Sequence, residues 1–274
     1  MATTTINFAK LVGQYDSLAA AIIFAILYVP LAVRFVFSLI RERTRILFVL
    51  TLFCLIRITS FTIRAVLVGS EGAGENEGLF IADQVLSSIG FVGLLLSAHG
   101  LVVNRLELDN SEPSSPISRI TRNRRLFRLL TTAAAVLGIV GINYLTSTDA
   151  SQRSTGETLK KVGIILFLVL TVNVAYLTST LIFGELSGSV RPTKRPTYSP
   201  SFGHSYGSYI LGLIAFFMLL RELFLVATIS SSTTQNAEKF WYPFVALPEV
   251  LCVMLFAIPG VIPPRAETGE AVTV

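Results

Sequence analysis

Ile46-Leu-Phe-Val-Leu-Thr-Leu-Phe-Cys-Leu-Ile-Arg57-Ile-Thr-Ser-Phe-Thr-Ile-Arg64-Ala-Val-Leu-Val68 is the stretch that decides the fold. A helix needs about 20 mostly apolar residues to cross a bilayer, and this run is long enough. Its two arginines lie where hydrocarbon would surround them, so each calls for a counter-charge or a cavity. Six further segments share its length and character: Ser17–Ile40, Gly78–Val103, Leu126–Tyr144, Leu159–Phe183, Tyr206–Ser230 and Phe240–Ile262. The fourth in chain order, Leu126–Tyr144, is the shortest. Only 14% of the chain is charged, against about 25% in soluble domains. Residues 1–274 therefore read as one all-α, polytopic bundle of seven transmembrane helices.

The loops alternate in charge. Arg41, Arg43, Arg45, Arg105, Arg119, Arg122, Arg124, Arg125, Arg128, Arg191, Lys194, Arg195 and Arg265 fall on one side; Lys10, Arg153, Lys160, Lys161 and Lys239 fall on the other. By the positive-inside rule the N-terminus is outside or lumenal and the C-terminus cytoplasmic. Arg34 is close enough to its helix end to snorkel. The basic pI of 9.4 is thus spent on membrane orientation, and nucleic acid is not expected as a partner. The first sixteen residues lack the charged start and small-residue cleavage site of a signal peptide, so the first span is expected to be retained. The expected location is multi-pass, in the endoplasmic reticulum or plasma membrane. Segments 107–118 and 187–205, rich in Pro, Ser and basic residues, read as mobile loops. Nothing in the sequence sets an oligomeric state.

Six ionisable groups lie inside the spans: Arg57, Arg64, Arg221, Asp83, Glu222 and Glu249. At a rise of about 1.5 Å per residue, all six fall between the midplane and the outer surface. Arg57, Ser60, Phe61 and Arg64 form the i, i+3, i+4, i+7 stripe of one face. Pro248 removes a backbone hydrogen bond beside Glu249 and should break that helix locally. Adjacent Arg221 and Glu222 are about 100° apart around their helix, so Glu222 is expected inward and Arg221 bridging to a neighbour as a structural ion pair. The result is one expected pocket, shared by spans two, three, six and seven. Its catalytic candidates are Glu249, Glu222 and Asp83. Arg57, Arg64, Tyr242, Trp241 and Phe217 are the candidate substrate contacts. Asp83 alternatively caps the start of its own helix, and the ion pairs alternatively only fix packing.

Metal chemistry is not expected. His99 and His204 are the only histidines, whereas membrane zinc hydrolases and di-iron desaturases or hydroxylases need three or more histidines. His99 reads as packed. No cofactor is expected either. Gly203-His-Ser-Tyr-Gly207 spells a serine-hydrolase elbow, but that motif needs a preceding strand and an α/β sheet.

The third-span run Val85-Leu-Ser-Ser-Ile-Gly-Phe-Val-Gly-Leu-Leu-Leu-Ser-Ala-His-Gly100 resembles a fungal family of uncharacterised seven-helix membrane proteins. Cys54-Leu-Ile-Arg-Ile-Thr-Ser60 and Leu137-Gly-Ile-Val-Gly141 are similar to it as well. The final third, with Leu220-Arg-Glu-Leu223, looks loosely like the RTA-type lipid exporters. These resemblances imply a seven-helix fold and no catalytic residues.

Buried acids, a lipophilic cavity and aromatic faces are what membrane terpene cyclases of fungal secondary metabolism use to protonate a substrate and hold carbocations. The expected function is accordingly an intramembrane, metal-free acid–base enzyme acting on a lipophilic small molecule such as a terpenoid. The alternatives are a lipid or small-molecule transporter, which the resemblance to exporters favours, and a receptor. The receptor lacks an Asp/Glu-Arg-Tyr triplet at Asn104-Arg105-Leu106 and an Asn-Pro-x-x-Tyr in the last span.

Overall fold

The structure is a computed structural model that describes residues 7–11, 13–108, 116–145, 147, 149–187 and 202–263. Arg191, Lys194, Arg195, Arg265 and most of the two loops 107–118 and 187–205 lie outside the described residues, as does the His204 side chain. The described residues are helical without strands, and seven helices are long and apolar enough to cross a membrane. They are α1 (Leu18–Arg41), α2 (Arg45–Gly69), α3 (Glu77–Leu108), α4 (Arg124–Leu145), α5 (Ala150–Leu186), α6 (Gly207–Ala227) and α7 (Glu238–Phe256). This is a multi-pass membrane protein.

The helix starts follow from side-chain caps. Ser17, Thr44, Asn76, Asn123 and Asp149 each accept a hydrogen bond from a first-turn amide of α1 to α5, the amides that have no carbonyl partner inside the helix. The Asp149 cap starts α5 nine residues before the apolar stretch begins, and Lys161 pairs with Glu157 at 2.8 Å in that extension. Hydropathy marks the membrane part of a helix rather than its ends. For the same reason α4, at 22 residues, is longer than α6 or α7.

Successive helices pack side by side, α7 closes back on α1, and α3 runs through the middle against α2, α4, α5 and α6. Arg34 of α1 donates to the Ala257 carbonyl at 2.7 Å, placing a cation at the C-terminal dipole of α7 and locking the ring shut. The expected break near Glu249 is realised as a π-helical turn over Tyr242–Ala246, directly before Pro248. Such turns are rare and concentrate at functional sites.

The tightest seam lies between α4 and α5. A Cβ on Gly156 would come within 2.8 Å of the Gly141 carbonyl, and one on Gly141 within 2.8 Å of the Lys160 amide nitrogen. Small residues are what let membrane helices approach this closely. Gly156→Val is expected to destabilise by about 1–3 kcal/mol through overpacking. The check is thermal unfolding in detergent, followed with a thiol-reactive dye on the buried Cys54 and Cys252. An unchanged melting point would contradict the contact.

Candidate functional site

The six charges separate into two neutral groups, both at the end of the bundle that carries the N-terminal segment. Glu249 of α7 lies between two arginines: Arg57 of α2 reaches it at 2.5 Å and the Nε of Arg221 at 2.7 Å. Arg221 also pairs with the adjacent Glu222. Its guanidinium lies over the Phe91 ring at 3.9 Å, and that of Arg57 rests against α3 where a Cβ on Gly90 would stand 3.2 Å away. Lone charges cannot stay in hydrocarbon, but two acids and two bases interlocked across α2, α6 and α7 can.

The second group centres on Asp83. Its oxygens accept from Tyr15 at 2.6 Å, Ser60 at 2.6 Å and Arg64 at 3.2 Å. Asp83 therefore does not cap its own helix, since each of these bonds goes to another element. The Arg64 guanidinium is sandwiched between the Tyr15 ring at 4.2 Å and the Trp241 ring at 3.8 Å, a cation–π arrangement suited to a buried cation. Gln84 donates to the Tyr15 hydroxyl at 2.6 Å. Burial holds that hydroxyl protonated well above the usual tyrosine range, with Arg64 opposing only in part. The phenol thus remains a donor to Asp83 at physiological pH.

A cavity of about 110 Å³ opens between α3, α4, α5, α6 and the start of α7, with Arg57 of α2 reaching its wall. The expected single pocket of α2, α3, α6 and α7 is therefore differently built, with α4 and α5 supplying a wall. Arg57, Arg221, Glu222 and Trp241 line it; Glu249, Asp83, Arg64, Tyr242 and Phe217 do not. Glu249 is sealed between its two arginines, and Phe217 packs on Phe216. Tyr242 stacks on Phe24. The acid that meets the cavity is Glu222. It is fully buried, and while its Oε1 engages Arg221, its Oε2 has no hydrogen-bond partner.

Two polar lining residues, Lys160 and Gln235, escaped the sequence reading, whereas Gln84 stands beside Asp83 in it. Lys160, assigned there to a loop face, turns into the cavity while its neighbour Lys161 takes Glu157. The available signal was its place on the Gly156, Lys160, Gly163 stripe of α5, spaced i, i+4, i+7. Gln235 sits on a short helix, Ser232–Asn236, and donates to the Leu225 carbonyl at 3.1 Å. Gln84 joins the cavity to the Asp83 group. Among the described residues no three His, Cys, Asp or Glu come together in a metal-binding group. His99 stacks on Phe127 at 3.7 Å and contacts the Thr121 carbonyl, a packing role. Residues 202–205 form a helical turn against Pro259, and the described residues hold no strand to serve as the scaffold of the hydrolase pattern.

A profile described as a domain of unknown function, DUF7702, matches residues 14–199. The chain belongs to the DUF7702 family. No curated protein and no solved structure matches it. In this DUF7702 protein the matched stretch contains Arg57, Arg64, Asp83 and Lys160, whereas Arg221, Glu222, Trp241 and Glu249 follow it. The exporter-like Leu220–Leu223 run also lies beyond the match.

Proposed function

We propose that this chain is an intramembrane enzyme that moves a proton on a lipophilic small molecule, with Glu222 as the proton carrier. One observation supports the reading above the others: a fully buried carboxyl oxygen, Glu222 Oε2, stands unpartnered at a cavity wall. Buried polar atoms are nearly always bonded, and exceptions tend to be functional. Arg221 orients the other oxygen, and the Arg57–Glu249 pair holds Arg221. Glu222 and its positioning arginine thus replace Glu249 at the centre of the site.

A carboxyl here gives a proton to one carbon of the substrate and takes one from another. Atoms and charge balance, which describes an isomerisation or a cyclisation. Protonation-initiated closure of a terpenoid is the specific form carried over from the sequence. Pockets enclosing whole ligands measure about 300–1,000 Å³, so a cavity near 110 Å³ houses only the reacting end. With the arginine-rich loops cytoplasmic, the cavity lies in the lumenal or outer half of an endoplasmic reticulum or plasma membrane.

The test compares lipid extracts of cells expressing wild type and Glu222→Gln in deuterated water. Wild type is expected to yield a product that acquires deuterium; Glu222→Gln is expected to lose it at least 100-fold, as removal of a general acid–base group does. Full product formation by Glu222→Gln would end this reading.

A further inference from the structure

Among the described residues, Lys160 is the cavity-lining cation that holds no carboxylate at ion-pair distance. Arg57, Arg221 and Arg64 each hold a carboxylate within 3.2 Å. The nearest acid along α5, Glu157, is engaged by Lys161 at 2.8 Å. The Lys160 side chain makes no hydrogen bond or close ion pair among the described residues and feels Glu157 only at longer range, yet Lys160 lines the cavity. Three positive groups line that cavity, Arg57, Arg221 and Lys160; with Glu222 ionised, the arginines are balanced by Glu222 on the wall and by Glu249 behind them. One positive charge is then left over, on Lys160. In a low-dielectric site that imbalance attracts a counter-charge strongly.

We infer that the cavity binds a molecule carrying a single carboxylate, with the Lys160 ammonium as its counter-ion. The inference rests on the same cavity as the proposed proton transfer and names the class of molecule it takes. A cationic headgroup would meet uncompensated positive charge. The other polar groups suit a carboxylate. Amide nitrogens carry two N–H donors, and those of Gln84 and Gln235 are each drawn with one bond, to Tyr15 and to the Leu225 carbonyl. Ile142, Ile164 and Phe167 supply apolar wall for the adjoining carbons. Lys160 on α5 and Glu222 on α6 lie on different walls, so a carboxylate held by one presents its neighbouring carbons to the other.

The chain has one tryptophan, Trp241, and it lines the cavity, so binding is read from its fluorescence without a label. Purified full-length protein in detergent is titrated with hexanoate, hexanol and hexylamine. Hexanoate is expected to saturate at concentrations at least tenfold below the other two. Lys160→Gln should weaken hexanoate at least tenfold, and Lys160→Arg should restore it; the thiol-dye melt shows that each variant is folded. Hexanol matching hexanoate, or a folded Lys160→Gln with unchanged affinity, would overturn the proposal. Oleate in nanodiscs binding tighter than hexanoate indicates a lipid-borne acid and equal binding a soluble one; both support the carboxylate. Lys160-dependent hexanoate binding together with full activity of Glu222→Gln would remove the proton-transfer reading and leave this site standing.

Discussion

Glu249→Gln is expected to destabilise the bundle by about 3–5 kcal/mol, the cost of removing one partner from a buried ion pair. Arg57 and Arg221 both point at this carboxylate, and both are buried. Without its charge two guanidiniums face each other with Glu222 alone to balance them. The dye-based melt should fall on the order of 10 °C. Glu222→Gln should fall far less, because Glu249 continues to hold Arg221. The double variant Arg57→Met with Glu249→Met leaves a neutral Arg221–Glu222 pair, and is expected to recover most of the loss, since apolar replacement of a complete buried pair is often near neutral. Equal melting points for Glu249→Gln and Glu222→Gln would refute this division between a structural and a reactive acid.

Asp83→Asn is expected to act almost as strongly and at a different place. It strips from Arg64 the carboxylate it pairs with among the described residues and weakens the acceptor of Tyr15 and Ser60. Tyr15 is the contact that pins the segment ahead of α1, whose Ala9 packs with Phe80 and Leu67. A loss of about 3 kcal/mol should accompany faster tryptic cleavage at the exposed Lys10. Cleavage at the wild-type rate, with an unshifted melt, would show that Asp83 does not hold this segment.

Much of the architecture was legible because bilayer crossing is a property of local composition. All seven spans follow from runs of apolar residues, and the break at Pro248 follows from a missing N–H. Helix ends were less legible. Asp149 starts α5 in polar sequence, where hydropathy has no signal. The face carrying Arg57, Ser60 and Arg64 was visible from spacing along one helix, and all three residues are buried together. Tyr15 was not visible as a site residue, since a lone aromatic in a polar lead segment has no periodicity to place it. Lys160 was hidden by Lys161: two adjacent lysines at a helix start read as one solvated patch, until the glycine seam of α4 and α5 turns one of them inward.

By itself the sequence determined that seven helices cross a membrane and that three buried bases must meet three buried acids, because equal numbers of opposite charges are tolerable in hydrocarbon and unequal ones are not. Only the tertiary structure decided which acid meets which base. Spacing along a helix sets the angle between its own residues but not how the helix is rotated against its neighbours. That rotation, set by packing, encloses Glu249 between two arginines and places Glu222 on the wall of the cavity that Lys160 lines.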